Sequence, residues 1–210
     1  MKFEKLFLND LFDFVQQTCL LFNIDESHGL GHSMNVFYYA SELFKQEQTN
    51  DEVIENIIII ASILHDMCDK KYMNETKGLL RIQKFLSTFP NYVNEEEITI
   101  ILQIISTMSY SKVKENGFPT HFDKDYLLAY HIVREADLLA AYQFDRCVIY
   151  QMITKKNSYL QALADAKELF EKRVTKHLDH QLFVTATGKK MAEELSANIN
   201  YLHLFAFGKS

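Results

Sequence analysis

The chain has no tryptophan, two prolines, six glycines and three cysteines in 210 residues, and each shortage removes a class of answers. Proline and glycine supply the backbone angles of tight turns, so a chain poor in both has little material for a β-sandwich or barrel. Cys19, Cys68 and Cys147 are odd in number, widely spaced and form no CxxC pair. That pattern argues against a disulfide framework and suits reduced thiols in a cytoplasmic setting. Positive charge is also short: 22 Lys and Arg against 28 Asp and Glu give a formal charge of −6. Duplex nucleic acid is therefore not an expected partner, because neutralising its phosphates needs a basic surface. A small phosphorylated ligand stays open, since it needs only a local basic pocket. Long apolar runs are missing too. The longest, Ile57 to Leu64, holds eight residues including Ser62, far short of the ~20 that span a bilayer. Lys2 and Lys5 are followed by Asp10 and Asp13 where a signal peptide would stay uncharged, so the expected location is cytoplasmic, with no membrane partner.

What is present is ordinary for a folded protein: 48% hydrophobic and 24% charged residues, with 16 Phe and 11 Tyr for the core. The length suits one domain spanning residues 1–210. Apolar residues recur at three and four almost everywhere, which is the helical period. Leu8, Leu11, Phe12, Val15, Cys19 and Phe22 mark a first helix; Val36, Tyr39, Ala40 and Leu43 mark a second, after a corner at Ser27–Gly31. Thr49 with Glu52 reads as a capping box opening a third, which runs through Ile54, Ile57, Ile58 and Ala61 to His65. This third helix is apolar nearly all round and is expected at the centre. A fourth covers Glu75 to about Leu86, and a fifth opens at Asn94 and Glu95–Glu97 and runs to Met108. Ser109 to Lys124, with Gly117 and Pro119, reads as a long irregular loop, the kind that often covers a ligand. A sixth helix is expected from about Asp125 to Gln143, with two or three more beyond it, the last opening near Thr187-Gly188. The expected fold is all-α, a single compact helical bundle of about eight to ten helices.

Histidine and carboxylate placement carries the chemistry. His32 opens the second helix, His65-Asp66 ends the central one, and Asp137 interrupts the apolar text EADLLAAY. Imidazole and carboxylate are suitable ligands for Mn, Fe, Co, Zn or Ni, with positions left for water. Neighbours within a helix diverge by about 100°, whereas a pair at a helix end can aim at one point beyond it. A plainer reading of Asp137 also stands: a buried carboxylate needs a partner, and Arg134 or Arg146 would serve as well as a metal. Cys68 reads as filler beside the dyad.

The order His32, His65-Asp66, Asp137 on a helical frame resembles the HD-domain phosphohydrolases, and most closely the small bacterial-type proteins of that superfamily that hydrolyse nucleotides. The likeness extends to SHGLGH (Ser27, His28, His32), to HDMCDKKY (His65, Asp66, Asp69, Lys71, Tyr72), to MSYSK from Met108, to EAD ending at Asp137, and to the stretch from Thr185 to Ala192. It covers about residues 10 to 205. It departs in three places: Gly29 stands where an Asp usually follows the first His, the D-A-D before and at the last ligand begins with Glu135, and Leu138-Leu139-Ala140 replaces R-L-D.

The resemblance implies one divalent ion held by His32, His65, Asp66 and Asp137, manganese first, with Fe, Co, Ni, Zn or Mg as alternatives. It implies hydrolysis of a phosphoester or phosphoanhydride in a nucleotide-like substrate, such as nucleoside triphosphate to monophosphate and pyrophosphate. Within that scheme Asp69 is a candidate general acid or base, Lys71 a phosphate contact, and His28 a proton donor or phosphate contact. Lys70, Lys77, Lys112 and Arg134 are further candidate phosphate contacts, and Tyr110 a candidate sugar or base contact. Solvated surface lysine is the competing reading for each Lys. A degenerate HD domain that only binds a nucleotide or protein, and a two-iron HD oxygenase, are the rival functions; the oxygenase needs more His ligands than His121 and His131 supply.

Overall fold

The computed structural model describes residues 5–47 and 51–206. Those residues form eleven helices and no strand: α1 (Lys5–Phe22), α2 (Leu30–Gln46), α3 (Glu52–Leu64), α4 (Glu75–Leu86), α5 (Glu95–Thr107), α6 (Tyr110–Asn116), α7 (Lys124–Ala140), α8 (Phe144–Ile153), α9 (Tyr159–Arg173), the single turn α10 (Lys176–Asp179) and α11 (Ala186–Ala206). The all-α expectation of eight to ten helices holds, with ten elements of seven residues or more. None of the described helices is long and apolar enough to cross a membrane.

Helix α3 is the axis. Every residue from Ile57 to Leu64 is buried, against α1, α2, α5 and α7. Burying each such Ile or Leu contributes roughly 1.5–3 kcal/mol, so this row holds the bundle together. Thr49, half of the expected capping box, lies outside the described residues. The cap is Asp51, whose carboxylate accepts from the amides of Val53 and Ile54. At the start of α5, Asn94 and Glu97 form a reciprocal capping box. Helices α2 and α7 lie side by side across α3, which places His32 and Asp137 next to the end of α3.

Two corrections follow from packing. The stretch expected as one long loop contains α6: Val113 is buried, and Gly117 ends the helix at φ 74°, a left-handed angle that glycine adopts freely. Gly117 and Pro119 therefore mark where a short helix stops. The sixth expected helix ends at Ala140, three residues before Gln143.

Helix α9 reaches the main core through Phe170, which is fully buried there, and Phe144 and Cys147 of α8 pack against that core; the two helices also have a cluster of their own. They pack chiefly on each other, around a small apolar cluster of Val148, Ala162 and Ala166 that is separate from the main core.

The start of α11 is latched to α7. Glu135, fully buried, accepts from the amides of Val184 and Thr185 and from the Thr185 hydroxyl, and Thr185 Oγ1 in turn accepts from Gly188 N. Gly188 sits where any Cβ would overlap the Glu135 carboxylate.

Candidate metal centre and cavity

Helix α3 ends at Leu64, and His65 is its C-cap. The chain turns there, so His65 and Asp66 are freed from helical divergence and both reach one point. His65 Nε2 lies 3.4 Å from Asp66 Oδ2. His32, on the first turn of α2, brings its Nε2 to 3.0 Å from His65 Nε2 and 3.4 Å from Asp66 Oδ2. Asp137, in the last turn of α7, places Oδ1 3.2 Å from His32 Nε2 and 3.7 Å from His65 Nε2.

This arrangement fits a cation. Ligand atoms about 2.1 Å from a common centre are about 3.0 Å apart at a right angle and about 3.4 Å apart at the tetrahedral angle. The observed separations fall in that region, and His32, His65 and Asp66 form a group that could hold a metal ion. His65 Nδ1 donates to the Ser62 carbonyl at 2.8 Å, which leaves the Nε2 lone pair of the neutral ring facing the cluster, as ligating histidines are usually oriented. Asp66 Oδ2 is buried with no hydrogen-bond donor, a costly state for a carboxylate oxygen unless a positive charge sits beside it.

The electrostatics say the same. Burial opposes charging His65, but the carboxylates of Asp66 and Asp137 more than offset it and raise its pKa to about 9. Burial raises the Asp66 carboxyl, yet His65 and His32 hold it well below the usual range. Asp137 is likewise pulled below its usual value, against burial, by His32 and His65. The cluster attracts positive charge strongly enough to hold a proton where a cation would sit. Neither arginine proposed as a partner for Asp137 takes that role: Arg134 Nη2 donates to Glu135 and Arg146 Nε to the Ser27 carbonyl.

The cluster forms part of the floor of a cavity of about 570 Å³. Asp69, Lys70, Lys71, His28, Tyr110 and Lys112 all line it, so most of the residues singled out by sequence come to one place. Their commitments differ. The Asp69 carboxylate accepts from the Lys71 amide at 2.8 Å and lies 3.4 Å from Lys71 Nζ, which ties it to the turn after the dyad. Lys112 Nζ donates to Glu75 and to the Ser106 carbonyl, strapping α6 to α4 and α5. Lys71 is half exposed and its ammonium reaches His28 Nε2 at 3.0 Å.

Two expected contacts do not reach the cavity wall. Lys77 lies exposed on the first turn of α4, outside the lining. Arg134 is buried, paired with Glu135 and stacked on Phe118 with its guanidinium carbon 4.8 Å from the ring centre. It serves the α7 latch. Sequence reading missed the part of the wall that α8 and α9 contribute, with Arg146, Tyr150 and Arg173, and Lys155 just after α8. The Arg173 guanidinium lies 5.3 Å from the Tyr110 ring centre, and Lys155 Nζ 5.8 Å from that of Tyr150. His177, buried at the back, also lines the cavity, and burial lowers its pKa to about 4.

No family model matches the chain. A chloroplastic 1,8-cineol synthase from Nicotiana suaveolens is 25% identical over 179 residues, an alignment covering 81% of this chain but 28% of the synthase. This chain thus spans little more than a quarter of that relative. A crystal structure of a Lactobacillus plantarum protein, solved as a structural-genomics target, superimposes with a TM-score of 0.68 at 21% identity, over 96% of both chains. That likeness establishes a shared fold.

Proposed function

We propose that the protein is a metal-dependent phosphohydrolase of the HD type, acting on a phosphoester or phosphoanhydride of a nucleotide-like substrate. The observation that carries this reading is the convergence of His32, His65, Asp66 and Asp137, the last three of which line a cavity whose walls carry cationic side chains. His32, His65 and Asp66 would hold one divalent ion, with Asp137 as fourth ligand and manganese as the first choice. When bound, such an ion activates a water molecule and offsets charge developing on the phosphoryl group.

The chain's own residues supply the rest. The Ser62 carbonyl fixes the His65 ring so that Nε2 faces the cluster. Lys70 and Lys71, with Arg146 and Arg173 from α8 and α9 and Lys155 after α8, neutralise the phosphates and orient the scissile bond. Asp69, held beside Lys71, is the candidate to accept or return a proton at its carboxylate. Tyr110 and Tyr150 present aromatic faces to the non-phosphate part of the ligand. The test is to incubate the manganese-loaded protein with a panel of nucleoside mono-, di- and triphosphates and identify the products. Release of phosphate or pyrophosphate that disappears with chelator is the expected result. A panel without turnover, from protein carrying stoichiometric metal, would overturn the reading.

A further inference from the structure

Between α1 and α2, Asp25 organises a polar chain that ends at Lys71. Its Oδ1 accepts from the Ser27 amide at 2.9 Å and from the Ser27 hydroxyl; its Oδ2 accepts from Tyr72 Oη at 3.0 Å and from Thr154 Oγ1 at 2.9 Å. A hydroxyl has one proton to give. Ser27 and Tyr72 both give theirs to Asp25, so towards His28 Nδ1, at 2.8 and 3.1 Å, they present only lone pairs. Nδ1 must therefore carry the ring proton. At the other side of the ring Lys71 Nζ lies 3.0 Å from Nε2, and an ammonium can only donate. The ring is neutral, with a bare Nε2 aimed at Lys71.

We propose that Asp25 is a positioning residue: through Ser27 and Tyr72 it fixes His28 as the Nδ1–H tautomer, and His28 Nε2 then holds the Lys71 ammonium at the cavity wall as the contact for a phosphoryl or pyrophosphoryl anion. Without this acceptor Lys71, half exposed on a flexible four-carbon stem, would keep only its 3.4 Å ion pair with Asp69 and sample more rotamers. The same Asp25 carboxylate receives Thr154, the C-cap of α8, and Arg146 Nε donates to the Ser27 carbonyl. The placement of Lys71 and the docking of α8 thus share one anchor. This also revises the expectation for His28. With Nε2 occupied by Lys71 and burial lowering its pKa to about 4, it orients a cation and is not a proton donor at neutral pH.

The choice of a phosphoryl anion rests on the proposed function; the relay itself does not. Long-range 1H–15N correlation spectra of the full chain should show His28 protonated at Nδ1 and bare at Nε2 at pH 7. Inorganic pyrophosphate is the binding probe, titrated calorimetrically into manganese-loaded protein. Asp25→Asn should weaken its affinity by about threefold to tenfold, and Lys71→Ala by at least as much. In the Lys71→Ala background, Asp25→Asn should lose most of its effect, because it acts on the anion chiefly through Lys71 and only secondarily through the α8 anchor at Thr154. A merely structural role would lower affinity equally in both backgrounds, and that result overturns the proposal. So does an Nε2–H tautomer in the wild type, or an absence of pyrophosphate binding in metal-loaded protein. Should Asp25→Asn fail to fold, Tyr72→Phe enters the same cycle with the same expectations. Pyrophosphate binding that obeys the cycle, in a protein that hydrolyses no nucleotide, would leave the relay standing and remove the proposed reaction.

Discussion

The candidate metal centre and the α8–α9 pair are built by opposite means. Around His65, the helices α2, α3 and α7 bury continuous apolar rows, and Ile57, Ile60, Ala61, Ile63 and Leu64 are all at 0% exposure. The α8–α9 pair touches that core through Phe170, adds only a small cluster of Val148, Ala162 and Ala166, and leaves Met152, Ile153, Tyr159 and Leu160 in solvent. Ligands that must converge within about 0.5 Å belong on the rigid part. A wall that must admit, grip and release a ligand belongs on the part with the lower cost of local opening. Under the proposed function, chemistry falls to the first region and recognition to the second.

Substitutions can break the comparison directly. Leu64→Ala, beneath the dyad, should cost about 2–5 kcal/mol in urea unfolding and loosen the metal as well. Val148→Ala, in the small cluster, should cost less and leave metal content alone; equal losses would mean that the two regions form one cooperative core.

Acid unfolding sharpens it next. Burial holds His131 and His177 at about 4, and His28 with them, below the ordinary 6.5. A histidine with a depressed folded-state pKa binds its proton more readily when unfolded, so its contribution is complete above 6.5 and is lost as pH falls towards 4. His65, raised to about 9, is already charged in both states below 6.5 and adds little slope there. Stability should fall through this window by about 1.4 kcal/mol per pH unit for each net proton. His131→Phe should reduce that slope by up to one proton, and an unchanged slope would exclude His131 as a contributor.

The latch gives a smaller effect. Gly188→Ala forces a methyl group against Glu135 and should destabilise by about 1–3 kcal/mol, read as a lower melting temperature. A melting temperature equal to wild type would show that α11 docks without it. Smallest of all, Arg173→Ala should leave melting unchanged while weakening nucleotide binding severalfold, because its guanidinium is exposed at the cavity rim over Tyr110. Lost stability with unchanged binding would return Arg173 to a packing role.

How much of this was legible depends on the range over which each residue acts. His32, His65, Asp66 and Asp137 could be picked out because each lies at a helix end or inside an apolar run, where a polar residue needs a reason. The all-α fold followed from periodicity, which is local. Helix α6 was hidden because its seven residues bury only Val113, too little apolar signal to outweigh Gly117 and Pro119. Lys155 and Arg173 were hidden for a different reason: they read as ordinary solvated charge, while Arg146 read as a partner for Asp137, and only the tertiary fold turns all three towards the cavity. Asp25 carries no local signal, because its partner Thr154 is 129 positions away. Arg134 misled in the other direction, since nothing local distinguishes an arginine that meets a ligand from one that meets Glu135.

The most direct test of the central claim is the metal content of Asp137→Ala beside wild type, each loaded with manganese, passed through a desalting column and read by elemental analysis. The account predicts close to one ion per chain in wild type and a large loss in the variant, with the helical circular dichroism retained. Near-stoichiometric metal in the folded variant would contradict it.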